Sequence, residues 1–136
     1  MTQEEKSLLL KDLCAGLPYH VKIQISYSDN GSIKHDIHTL DCDYLKLFIL
    51  GGRYKCHGNI YRHPDFSLRP YLRPMSSMTR EDVYEYNNIL HKHNELLGEY
   101  EACELIDWLN AHHFDYRHLI ERGLALEATE DMYKTE

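Results

Sequence analysis

Residues 19 to 28 constrain the fold more than any other stretch, because apolar and polar side chains alternate there without a break. Val21, Ile23, Ile25 and Tyr27 fall on one face of an extended chain, and His20, Lys22, Gln24 and Ser26 on the other. This is the pattern of a strand with one face on a core and the other toward water. Asp29-Asn30-Gly31 follows at once, the chemistry of a tight reversal, since Asn and Gly accept positive φ. Ser32 to Leu40, carrying Ile33 and Ile37, then reads as the antiparallel partner. A two-residue Asn-Gly loop sets Ile23 opposite His38 and Ile25 opposite Asp36. A three-residue loop with Gly31 as a left-handed bulge sets Tyr27 opposite Ile33 and Ile23 opposite Ile37. Matching apolar to apolar favours the three-residue loop.

Around this hairpin the pattern changes to helix spacing. Residues 4 to 15 gather Leu8, Leu9, Leu13 and Cys14 on one side of a helix that Gly16 and Pro18 end. Tyr44 to Leu50 is a run that is apolar except for Lys46 and is closed by Gly51-Gly52; it reads as a third, buried strand, with a short helical turn as the alternative. From Arg53 to Met78, Gly58 and the prolines at 64, 70 and 74 forbid regular helix and predict extended segments and turns. Thr79 is a good N-cap, with Glu81 and Asp82 in the first turn. The helix it opens runs to about His93, with Val83, Tyr86 and Leu90 as its stripe and Leu97 as an extension. Past Gly98, Glu99 to His112 makes another helix with Ala102, Leu105, Ile106 and Leu109 inward. Asp115 caps a last short helix closed by Gly123, and the tail after Thr129 is expected to fray. The resulting class is α+β: one domain over 1–136, with a small antiparallel sheet of two or three strands, including the hairpin at 19–40, packed with N- and C-terminal helices.

Charge is laid out unevenly. The formal net charge is -7, yet between Arg53 and Arg80 six Arg/Lys face one acid, whereas from Glu81 to Glu136 four Arg/Lys face fourteen Asp/Glu. The acidic total disfavours nucleic acid as a partner. The acidic N-terminus and the short Leu8-Leu9-Leu10 run do not make a signal peptide, no apolar stretch approaches a membrane span, and the four cysteines lie far apart. The expected compartment is the cytoplasm, with reduced thiols.

Ten histidines invite a metal reading, but their spacings do not support one. His91 and His93 stand two apart on a helix, and His35 and His38 take opposite faces of a strand. Structural or surface histidines are the favoured reading, with a site assembled from Cys42, Cys56 and His57 left open. No Gly-x-Ser-x-Gly and no phosphate-cradling loop occurs, and Cys103 reads as a core thiol. No cofactor is expected. The stretch with interleaved arginine and tyrosine does suit a contact surface, whether for a protein or for stacked bases. Its contact residues are Arg53, Tyr54, Arg62, Arg69, Tyr71 and Arg73. Against this stands the simpler possibility that the basic stretch lies across the chain's own acidic helices. Trp108 falls off the main stripe of its helix and is placed at a core edge rather than as an exposed anchor.

Two segments, 69–79 and 106–117 through Leu124-Ala125-Leu126-Glu127-Ala128, resemble small proteins encoded by gut Bacteroidales, their phages and mobile elements, a family without an assigned activity. The resemblance covers about a third of the chain. It implies an accessory protein that binds a host or viral protein. The expected function is therefore that of a non-enzymatic interaction protein. Nucleic-acid or nucleotide binding through 53–80, and a metal-dependent enzyme using scattered His, Cys and acidic residues, are the alternatives.

Overall fold

The hairpin forms where the alternation places it, as β1 (Lys22–Asp29) and β2 (Ser32–Thr39), but with a different register. Asp29 pairs with Ser32, Ile25 with Asp36 and Ile23 with His38, so the loop is the two-residue Asn30-Gly31 turn with φ of 52° and 84°. The three-residue expectation is corrected. Cross-strand matching assumed that both strands bury the same face, whereas β2 buries almost nothing: Ile33 and Ile37 are 69% and 56% exposed. The primed turn geometry, which suits the strand twist, decides the register instead.

The computed structural model describes residues 1–51, 53–56, 59–62, 66–91 and 99–134, of which 53–56, 59–62 and 99–101 are described in backbone only. Within them the main sheet has four strands in the order β2-β1-β5-β6. β3 (Arg53–Cys56) and β4 (Asn59–Arg62) form a separate antiparallel hairpin. β5 (Ser67–Leu72) pairs antiparallel with β1, and β6 (Leu126–Glu127) pairs parallel with β5. The sheet is therefore mixed and larger than the two or three antiparallel strands expected. Pro70 sits inside β5 because its nitrogen has no ladder to serve. The Leu72 carbonyl accepts from Ala128 on the β6 side, and Pro70 shares that orientation two residues earlier, beyond the Tyr71–Leu72 reach of β6.

Four α-helices occur among the described residues. α1 (Gln3–Gly16) starts with a capping box in which Thr2 and Glu5 bond reciprocally. It buries Leu9, Asp12 and Leu13, while Cys14 faces outward. Gly16 is where the chain doubles back, since a Cβ there would meet Val21 Cγ1 at 3.0 Å. α2 (Cys42–Ile49) replaces the expected third strand. Asp41 caps it by accepting from the Tyr44 amide, and its buried residues Tyr44, Leu47 and Phe48 recur at helix spacing. α3 (Arg80–Leu90) opens on Thr79 and ends before the expected His93. Its packed residues are Tyr86, Ile89 and Leu90, while Val83 is exposed. α4 (Glu99–Ala111) buries Leu105 and Leu109 and turns Ile106 and Cys103 outward, against expectation. Leu97 and Gly98 lie outside the described residues. No helix among these residues is long and apolar enough to cross a membrane.

Two hydrophobic clusters result. The larger joins α1, α2 and the inner face of the sheet through Leu9, Leu13, Ile23, Ile25, Leu47 and Leu68. Burying each such side chain contributes about 1.5–3 kcal/mol before entropy is set against it. The smaller gathers Leu105, Leu109 and Phe114, with Met75, Met78 and Trp108 around them. Trp108 is half-buried there and donates its indole N–H to Glu85 at 3.0 Å. Between residues 115 and 123 the chain makes turns rather than the expected helix. Asp115 still acts as a cap, accepting from the amides of Leu119 and Ile120.

Candidate functional site: the open face of the sheet

The inner face of the sheet carries Ile23, Ile25, Leu68 and Leu72, all buried. By alternation the outer face carries Lys22, Gln24 and Ser26 from β1, Ile33, His35 and Ile37 from β2, and Arg69 and Tyr71 from β5. Its polar groups are tied together. Gln24 donates to the Tyr71 hydroxyl at 3.3 Å and accepts from Arg69 at 3.4 Å. Ser26 Oγ lies 2.6 Å from His35 Nδ1 and 3.4 Å from Gln24 Oε1. Ser26 is buried, and its hydroxyl donates to Gln24 Oε1 when the His35 ring carries its proton on Nδ1 and donates to Ser26 Oγ; with the proton on Nε2 the hydroxyl donates to His35 instead. This arrangement stiffens a surface rather than presenting a nucleophile, since no third group orients the His35 ring among the described contacts.

Ile33 and Ile37 stand out of this polar floor. The charged side chains that share their face are Lys22, Arg69 and, when protonated, His35, and no carboxylate among the described strand residues joins them. The carboxylates of the hairpin point the other way: Asp29 pairs with Lys34 at 2.8 Å, and Asp36 accepts from Tyr27 at 3.1 Å. An acidic chain thus turns a cationic and apolar face outward.

The contact residues expected from sequence separate. Arg69 belongs to the open face. Tyr71 lies on the same side but is 8% exposed and acts as a hydrogen-bond partner in its floor. Arg73 is drawn inside. It binds Asp82 at 2.7 Å, reaches the His112 carbonyl at 3.4 Å and stacks 4.2 Å over the Phe114 ring. Its main chain also bonds His113 and Asp115. This part of the basic segment does lie on its own acidic helix. The side chains of Arg53, Tyr54 and Arg62 fall outside the described residues, as do those of Cys56 and His57. Sequence reading missed Ile33 and Ile37 as surface residues because it matched them to the core.

A second recess, of about 690 Å³, lies between the start of α3 and residues 127–134. Glu81, Glu127 and Glu130 line it opposite Lys134, and its arginine, Arg73, is already committed to Asp82. Burial pushes the Asp82 carboxyl up, but the hydrogen bonds from Thr79 and Arg73 outweigh it and hold it below the ordinary range. The recess has a structural ion pair at its base, and the other charges that line it, Glu81, Glu127, Glu130 and Lys134, are of mixed sign. No group of three or more His, Cys, Asp or Glu side chains converges on a metal position among the described residues.

No protein-family model, curated protein or solved structure matches the chain.

Proposed function

We propose that the protein is an interaction module whose open sheet face receives a segment of a partner protein combining apolar side chains with carboxylates. The supporting observation is that two isoleucines, 69% and 56% exposed, share a sheet face with Lys22 and Arg69 and, among the described strand residues, with no carboxylate. Large apolar side chains left exposed on a rigid strand mark contact sites when they share a face, and the charge on that face selects the partner. Arg69 supplies the planar fork suited to a carboxylate. The resemblance of residues 69–79 and 106–128 to small mobile-element proteins fits an accessory protein of this kind. Nucleic acid remains the competing occupant of a cationic face.

The test is capture by the immobilised protein from nuclease-treated lysate of the cell that makes it, set beside Ile37→Asp and Arg69→Glu. Both variants alter exposed or half-exposed positions and should keep the melting temperature within a few degrees. A protein held by the wild type and lost by both variants is the expected result. Capture that vanishes with nuclease, or persists in both variants, contradicts the proposal.

A further inference from the structure

β2 is the edge of the sheet among the described residues, and its main-chain groups have a definite orientation. The Leu40 amide donates to the Val21 carbonyl at 2.9 Å, so the even-numbered residues of β2 turn their N–H and C=O groups toward β1. Ile33, His35, Ile37 and Thr39 therefore turn theirs outward, along a strand whose residues are mostly exposed. An edge of this kind templates another strand unless something blocks it, and a lysine is the usual blocker.

We infer that this edge pairs antiparallel with β2 of a second copy of the chain, about a two-fold axis through His35. Outward-facing groups pair only with outward-facing groups, so odd-numbered residues must oppose odd-numbered ones. Centred on His35, the register sets Ile33 opposite Ile37 of the other copy, twice over, on the open face. On the inner side it sets Lys34 opposite Asp36, again twice. Moving the axis one residue toward the turn sets Lys34 against Lys34, and one residue the other way sets Asp36 against Asp36. Lys34, which pairs with Asp29 of its own chain, meets Asp36 in the register centred on His35, another Lys34 in the second and His38 in the third. Ile–Ile and Lys–Asp pairs directly across an antiparallel ladder are both favourable. The contact is isologous, as a two-fold demands, and supplies about six main-chain hydrogen bonds. Seven residues a side is a small interface, of the size class of weak, concentration-dependent contacts. The sheet becomes eight strands wide, with four isoleucines side by side on one face. This inference shares Ile33 and Ile37 with the open face, but its test changes only Lys34 and Asp36 on the opposite side, so its failure is distinguishable from that of the heterologous partner.

The experiment is sedimentation velocity of the purified full chain from about 1 to 300 μM. Wild type should pass from monomer to dimer across that range. Lys34→Asp opposes two aspartates, and Asp36→Lys opposes two lysines, so each alone should stay monomeric while keeping its circular dichroism spectrum. Mixed in equal amounts, the two variants complement one another at every ionic pair and should dimerise. A wild type that is monomeric throughout, a single variant that dimerises as the wild type does, or a mixture that stays monomeric would each overturn the inference. None of these outcomes bears on capture of another protein.

Discussion

The Tyr133 hydroxyl donates to the Tyr71 carbonyl at 2.6 Å. It also accepts from the Lys22 amide at 2.8 Å, so one phenol stands between β1 and β5 where their ladder ends at Ile23 and Pro70. Just past the end of β5, Arg73 bonds through its main chain to residues 113 and 115. The ring of His113 stacks on that of Tyr133 at 3.7 Å. The segment after Thr129, expected to fray, thus closes the gap between the two strands.

Tyr133→Phe keeps the ring and removes both hydrogen bonds, leaving a donor and an acceptor unpaired at a part-buried position. The expected loss is about 2–3 kcal/mol, read as a fall of roughly 5–10 °C in melting temperature for a chain of this size. Self-association through β2 should not change.

A second long-range pair holds α1 to the turns after α4. Arg117 donates to Asp12 at 2.8 Å, and Asp12 is 5% exposed. Burial pushes the Asp12 carboxyl up, with Arg117 pulling against it. Arg117→Met strands a buried carboxylate and should lose about 3–4 kcal/mol in urea unfolding, whereas Asp12→Asn removes the buried charge and should lose less than half of that. Equal losses for the two variants would contradict this account of the pair.

Acid should loosen the segment after Thr129. Burial, joined by the nearby charges of His112, Arg73, His20 and Lys22, lowers His113 from 6.5 to about 4. The folded state therefore favours the neutral ring. The stability this contributes is complete above about pH 6.5 and is lost as pH falls toward 4. Asp82, held low, gives up its contribution only below its ordinary value of 3.8. Asp12, held high, works in the opposite sense, and its burden is relieved as pH falls. Melting temperature should therefore decline between pH 6.5 and 4, and decline less in His113→Asn. Asparagine tolerates the φ of 63° at that position.

Gly31→Ala tests the turn that sets the register. At φ 84° nothing lies within 4 Å of an added Cβ, so the penalty is conformational and should be about 1 kcal/mol. A larger loss would mean that the turn holds more of the fold than the hairpin.

What was legible in the sequence was local. The alternation of Val21, Ile23 and Ile25 and the capping residue Thr79 each carry their information within a few positions, and the hairpin and α3 formed there. α2 was misread because a seven-residue run, apolar except for Lys46, fits either a buried strand or a helix. The Asp41 cap and the 44, 47, 48 spacing were the signals that separate the two. Pro70 hid β5, since its place in a sheet depends on how far β6 reaches. Asp12 and Tyr133 were illegible for a different reason: their partners, Arg117, Lys22 and Tyr71, lie 105, 111 and 62 residues away. Of the candidate site, Arg69 was found by composition. Ile33 and Ile37 were seen as apolar but assigned to the wrong face, because only the turn geometry reveals which way β2 looks.

The most direct test of the open face is selection from a random peptide display library on the immobilised protein, followed by rebinding of the selected peptides to Ile37→Asp and Arg69→Glu. The account predicts enriched sequences that combine large apolar residues with Asp or Glu, and loss of binding to both variants. Enrichment of basic sequences, or of sequences that bind the variants as well as the wild type, would contradict it.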